Sequence, residues 1–157
     1  MKTESTQAMC GDGSPVAVDD GIAICSPSAA YLPACWKSTD STALCLRNAT
    51  DKVLVRLPYT GAWGNPTKPS VTSPLNMRLA DGDRCQIRVG GAWGTVPEHP
   101  DWLGFASCTK DGDVFGPASG DGIDRSTKSW TATLYNERTQ KLSTQHVAVA
   151  YLVGTAP

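Results

Sequence analysis

The sequence has little charge of either sign. Charged residues make up 18 % of the 157 residues, and 14 basic against 15 acidic residues give a net charge of −1. Soluble domains usually carry roughly 25 % charged residues. Acidic and basic residues are interspersed, so no basic stripe is available to neutralise phosphates. We therefore expect no nucleic-acid partner and no electrostatic binding to a membrane surface.

Long hydrophobic runs and helical periodicity are also missing. The longest apolar run, VAVAYLV at 147–153, has the length of a strand. A transmembrane helix needs roughly 20 apolar residues. Apolar residues nowhere keep a helical spacing over several turns. The polar start, MKTESTQ, has no apolar signal-peptide region. We predict a disordered polar N-terminus over 1–9 and no transmembrane segment.

Catalytic signatures are scarce as well. The chain has 2 histidines, His99 and His146, and it contains neither a Gly-x-Ser-x-Gly elbow nor a phosphate-binding glycine loop. These absences favour a protein that is not an enzyme and that holds no cofactor. A small hydrolase is the alternative, because either histidine could join a distant serine in a triad. Paired carboxylates for glycoside hydrolysis also stay open, since their spacing is three-dimensional.

What the sequence does contain is a series of short alternating segments. Residues 53–59, 84–89, 129–135 and 145–153 are rich in the apolar, β-branched and aromatic side chains typical of strands. Asp-Gly turn signals occur five times along the chain. This pattern predicts an all-β fold, a single antiparallel sandwich or barrel-like domain over 10–157 with hairpins and little helix.

The even number of cysteines predicts three disulfides. The 6 cysteines include no Cys-x-x-Cys pair, which a zinc site would usually contain; six free buried thiols are the alternative. Cysteines that face each other in predicted hairpins favour the pairs Cys35–Cys45 and Cys85–Cys108, which leaves Cys10–Cys25. Because disulfides persist in oxidising compartments, we expect a secreted or extracytoplasmic protein whose signal peptide has been removed.

The tetrapeptide Gly-Ala-Trp-Gly occurs twice, at 61–64 and 91–94, each time after an alternating segment. A Trp between glycines is poorly shielded, and its flat indole can stack on the apolar C–H face of a sugar. The alternative is that each indole folds back and caps the end of the sheet. The candidate ligand-binding residues are Trp63, Trp93, Trp102 and Tyr59.

A glycine-rich stretch at 110–126 gathers four aspartates. Ca²⁺ takes oxygen ligands from flexible loops, so these carboxylates are candidate calcium ligands, although their spacing does not match the EF-hand pattern. The alternative is a loop whose aspartates only form turns. The four residues are Asp111, Asp113, Asp121 and Asp124.

Several longer stretches carry a family resemblance. They include ALCLRNATDKVLVRLPYTG at 43–61, LADGDRCQIRVGGAWG at 79–94, VFGPASGDGIDRS at 114–126 and VAVAYLVGTA at 147–156. From about residue 10 onward the chain resembles a group of small secreted or cell-envelope proteins of actinobacteria, the mycobacteria and their relatives. The resemblance implies an exported protein with paired cysteines, and it supplies no catalytic residues.

These observations favour an exported, non-catalytic β domain that binds a protein or ligand at the cell envelope. One alternative is a carbohydrate- or cell-wall-glycan-binding module that uses exposed tryptophans. The other is a small secreted hydrolase.

Overall fold

The described part of the chain consists of strands and turns and contains no helix. The computed structural model describes residues 1–5, 7–26, 32–88, 91–110 and 112–155. The all-β prediction is confirmed. The strands are β1 Lys2–Thr3, β2 Ala8–Gly13, β3 Ala23–Ser26, β4 Leu32–Lys37, β5 Thr42–Asn48, β6 Val53–Thr60, β7 Asn76–Leu79, β8 Arg84–Ile87, β9 Leu103–Cys108, β10 Asp113–Gly116, β11 Ile123–Asp124, β12 Thr131–Asn136 and β13 Lys141–Tyr151.

The chain divides into two compact units. The first unit comprises Met1–Leu75 with Tyr151–Pro157, and the second comprises Asn76–Ala150. We predicted a single domain because no linker interrupts the sequence. The structure places the boundary between two consecutive residues and inside a continuous strand, β13, where neither composition nor turn residues change. No described helix is long and apolar enough to cross a membrane.

The first unit is a closed sheet. Its strand order is β1-β6-β2-β3-β4-β5, and pairing of β5 with β6 closes it. Val55, Leu57 and Tyr59 of β6 are buried and alternate with more exposed neighbours, as expected for a strand with one face in a core. The interior of this closed sheet is therefore apolar, and it also contains two of the disulfides.

The N-terminal segment 1–9, predicted to be disordered, contains strand pairing in the structure. Lys2 and Thr3 pair in parallel with Val55 and Arg56 of β6, and the Glu4 carboxylate lies 3.1 Å from the Arg47 guanidinium. The partners of this segment are far away in sequence. A polar composition alone therefore gives no sign of the pairing.

The second unit is also a closed sheet. Its strand order is β10-β9-β8-β7-β13-β12-β11, and additional pairing of β10 with β12 closes it. The interior of this barrel is filled by apolar side chains from five strands. They are Met77, Leu79, Cys85, Ala106, Val114, Ala132 and Leu134.

A β-bulge in this second barrel changes which side chains face outward. Val114 pairs with Ala106 inside the barrel, whereas the next residue, Phe115, pairs with Gly104. The pairing thus skips one residue of β9, as a bulge requires. Phe115 belongs to a separate cluster with Tyr135, on the opposite side of the wall from Val114 and Leu134.

All three predicted disulfides are confirmed. The Cα–Cα distances are 4.3 Å for Cys10–Cys25, 4.0 Å for Cys35–Cys45 and 4.0 Å for Cys85–Cys108. In each case the two cysteines face each other on neighbouring antiparallel strands. No cysteine is free, so the alternative of six free thiols is wrong.

Candidate functional site

Residues 91–102, which lie between β8 and β9, fold over the outer face of the second barrel. Val96, Phe115 and Tyr135 are buried there, and Trp93, Trp102 and Leu142 pack against them partly buried. We call these six side chains the aromatic cluster. Its rings meet edge to face, with centroids 5.6 Å apart for Trp93 and Phe115 and 5.7 Å apart for Phe115 and Tyr135, the arrangement that aromatic quadrupoles favour.

The position of the Trp93 ring depends on Gly104. A Cβ at this position would overlap the indole, so the ring lies directly on the backbone of β9. Because of the bulge in β9, Gly104 pairs with Phe115, whose side chain is on the outer face of the barrel. Gly104 has no side chain, and the bulge places it on the outer face, so the Trp93 indole can pack directly against the backbone there.

The two glycines of the second Gly-Ala-Trp-Gly copy differ in backbone conformation and in surroundings. Gly91 adopts φ 84°, a left-handed conformation that glycine adopts without steric cost. A Cβ at Gly94 would meet the end of the exposed Glu137 side chain, which is free to move aside. Gly91 is therefore the glycine of this copy whose backbone conformation the turn requires.

Two side chains lie over the tryptophans of the aromatic cluster. The Arg88 guanidinium carbon lies 4.5 Å from the Trp93 ring centroid, within cation–π range, and Arg88 Nη2 donates to the Ala92 carbonyl at 3.0 Å. The His99 ring stacks on Trp102 with centroids 3.9 Å apart and planes 7° apart. Trp93 and Trp102 stay half-buried, so part of each indole remains accessible.

The first Gly-Ala-Trp-Gly copy has a different outcome. Trp63 is 8 % exposed and Tyr59 is 6 % exposed, and their rings meet edge to face at 5.2 Å in the core of the first unit. Trp63 Nε1 donates to the Gly21 carbonyl at 3.4 Å, and the Tyr59 hydroxyl donates to the Thr39 carbonyl at 3.3 Å. Trp63 thus follows the alternative in which the indole folds back and its N–H finds a partner, and Tyr59 is a residue of the same core.

The three predicted calcium ligands that lie in the described residues, Asp113, Asp121 and Asp124, do not form one group. Asp113 accepts the Cys108 amide at 3.0 Å, and Asp121 forms an ion pair with Arg125 at 2.6 Å. Hydrogen bonds from the Ser126 side chain and backbone lower the pKa of Asp124. Asp111 lies outside the described residues. Among the described residues, the groups of three metal-ligating side chains all contain disulfide cysteines, and none contains these aspartates.

Sequence reasoning missed a group of residues around the start of β12. The Arg125 guanidinium carbon lies 4.9 Å from the Trp130 ring centroid. A recess of about 230 Å³ is lined by Lys128, Trp130, Val147 and Ala150. The sequence pattern predicts Trp130 as an ordinary strand residue. No local signal marks the recess, because its lining comes from the segment before β12 and from β13, which are separate in sequence.

The two histidines have separate environments. His99 is part of the stack on Trp102, whereas the exposed His146 shares a hydrogen bond of 3.0 Å between its Nδ1 and Ser129 Oγ. No carboxylate among the described residues is hydrogen-bonded to His146. The two atoms therefore form a serine–histidine pair without a third member.

Comparisons with family models, with curated proteins and with solved structures find no match.

Proposed function

We propose that this protein is an extracytoplasmic, non-catalytic binding module that contacts a ligand of the cell envelope through the aromatic cluster. The observation that carries the proposal is the state of Trp93 and Trp102. Both are half-buried, both pack against the buried side chains Val96, Phe115 and Tyr135, and each has one ring face covered, by Arg88 or by His99. Aromatic side chains fixed in this way bind with little loss of conformational entropy.

The disulfides support the proposed compartment. Three disulfides in a small domain fit an oxidising, extracytoplasmic environment. The resemblance to small actinobacterial envelope proteins supports the same location. Envelope glycans are then the first ligand class to test, because the C–H faces of sugar rings complement accessible indoles.

The binding test uses intrinsic fluorescence and calorimetric titration against a panel of soluble cell-wall glycan fragments. We expect a Trp102→Ala variant to bind at least about tenfold more weakly, a loss of about 1.4 kcal/mol. The matched control is Trp36→Ala in the first unit, because the half-buried Trp36 lies outside the aromatic cluster. It should keep the original affinity, with folding of both variants checked by circular dichroism.

Two results would count against this proposal. If neither the fluorescence nor the heat of titration changes with any glycan of the panel, glycans are excluded as the ligand class. An envelope protein would then be the next ligand to test. Equal losses of affinity in Trp102→Ala and Trp36→Ala would remove the aromatic cluster as the binding surface.

A small secreted hydrolase is the second candidate function. It is favoured by the hydrogen bond of 3.0 Å between Ser129 Oγ and His146 Nδ1, because a histidine in this position can accept the serine proton during attack on an ester. A fluorophosphonate probe tests this candidate. It predicts a covalent adduct on Ser129 that disappears in His146→Ala, and an unlabelled Ser129 in the folded wild-type protein would eliminate it.

A further inference from the structure

The recess beside Trp130 has one well-fixed aromatic wall. Asp121 accepts two hydrogen bonds from the Arg125 guanidinium, with Nη1–Oδ1 at 2.9 Å and Nη2–Oδ2 at 2.6 Å. Such a bidentate pair fixes the plane of the guanidinium, which lies over the Trp130 ring. One face of the indole is therefore covered by a cation whose charge is already balanced, and the recess borders the rest of the ring.

The other walls of the recess are apolar. Val147 packs against the interior cluster of the second barrel, and its amide donates to the Trp130 carbonyl at 2.9 Å. Ala150 contributes a small side chain to the lining. The recess has a volume of about 230 Å³ and is open to solvent on one side. A single six-membered sugar ring can lie in it with one face toward the lining.

One charged group completes the lining. Lys128 is exposed, and its ammonium forms no ion pair with another described residue. No carboxylate lines the recess. A ligand that matches this lining has one apolar face for Trp130 and Val147, and a single negative charge at its edge for Lys128.

We infer that the recess binds a carboxylate-bearing sugar ring. The C–H face of the sugar packs against Trp130 and Val147, and the carboxylate pairs with Lys128. This site shares no residue with the aromatic cluster, so the inference goes beyond the proposed function and holds even if the aromatic cluster binds a different ligand.

The test compares three small probes by calorimetry and by two-dimensional NMR: methyl glucuronide, the neutral methyl glucoside and acetate. We expect methyl glucuronide to bind the wild-type protein and to shift the Trp130 indole resonance. The glucoside should bind about fivefold more weakly, because an exposed ion pair contributes up to about 1 kcal/mol. Acetate should not compete, since it lacks the apolar face.

Two lysine variants separate the site from general charge effects. Lys128→Gln should reduce glucuronide affinity to that of the glucoside, whereas Lys141→Gln, at another exposed position of the second unit, should leave it unchanged. The inference is overturned if glucuronide does not bind at millimolar concentration, if glucoside binds equally well, if acetate competes with glucuronide, or if Lys128→Gln has no effect.

Discussion

Gly104 is the residue on which the aromatic cluster most directly depends. Its importance lies in space rather than in backbone freedom, because the Trp93 indole occupies the volume that a Cβ would need. The repeated tetrapeptide illustrates the same dependence on surroundings. Identical local sequence gives a buried Trp63 and a half-buried Trp93, since the surfaces that receive the two rings differ.

We expect Gly104→Ala to displace the Trp93 ring. Overpacking of this kind costs about 1–3 kcal/mol of the free energy of unfolding, which urea denaturation measures, and the freed indole should shift its fluorescence to longer wavelength. Gly120→Ala is the matched control in the same unit, because its added Cβ would come no closer than 3.9 Å to another residue. Equal stability of the two variants would show that Trp93 does not rest on Gly104.

At the residue scale the sequence could predict only part of the site. It indicated that Trp93 stands in a glycine-rich turn, and it included Trp102 among the candidates. It could not show the stack of His99 on Trp102, or that Gly104 receives Trp93, because that contact depends on a bulge in β9. The recess beside Trp130 was missed for a similar reason: strand pairing brings its lining together.

The elements that could be predicted are those with local partners. Two disulfide pairs are predicted from cysteines that face each other in hairpins, the third is the pair that remains, and the structure has all three. β1 shows the opposite case, since its parallel partner, β6, lies about fifty residues away along the chain. Alternation along a strand is visible in sequence, whereas the identity of a distant partner is not.

Loss of the Cys85–Cys108 disulfide should loosen the residues that connect β8 and β9. The bond closes a loop with a sequence separation of 23, and its removal in Cys85→Ala/Cys108→Ala should cost on the order of 3 kcal/mol of the free energy of unfolding. Residues 91–102 should then exchange amide hydrogens faster, since their anchoring strands are no longer cross-linked. Hydrogen exchange read by mass spectrometry measures this directly.

The control for this effect is Cys10→Ala/Cys25→Ala in the first unit. Its loss of stability should be similar, but exchange over 91–102 should stay as in the wild-type protein under conditions where both variants are folded. Equal acceleration of exchange in the two variants would contradict a local effect of the Cys85–Cys108 bond.

For the molecule as a whole, two closed sheets explain how so many short strands are accommodated. Closure leaves fewer unpaired strand edges, which would otherwise template association with other chains. The division into two units could not be predicted, because the boundary at Leu75 and Asn76 carries no linker. The fold class can be predicted from the alternation of apolar residues within each strand. The division into two units depends on which distant strands pair to close each sheet.

The most direct test of the account is tryptophan-selective chemical modification read by mass spectrometry, on the free protein and on its complex with cell-wall glycan. We predict that Trp93 and Trp102 react in the free protein and become protected in the complex, while Trp63 stays unreactive in both. Trp36 serves as the internal reference, and its reactivity should not change on binding. Modification of Trp63 as fast as Trp102, or a complex in which Trp93 and Trp102 react at their free rates, would contradict binding through the aromatic cluster.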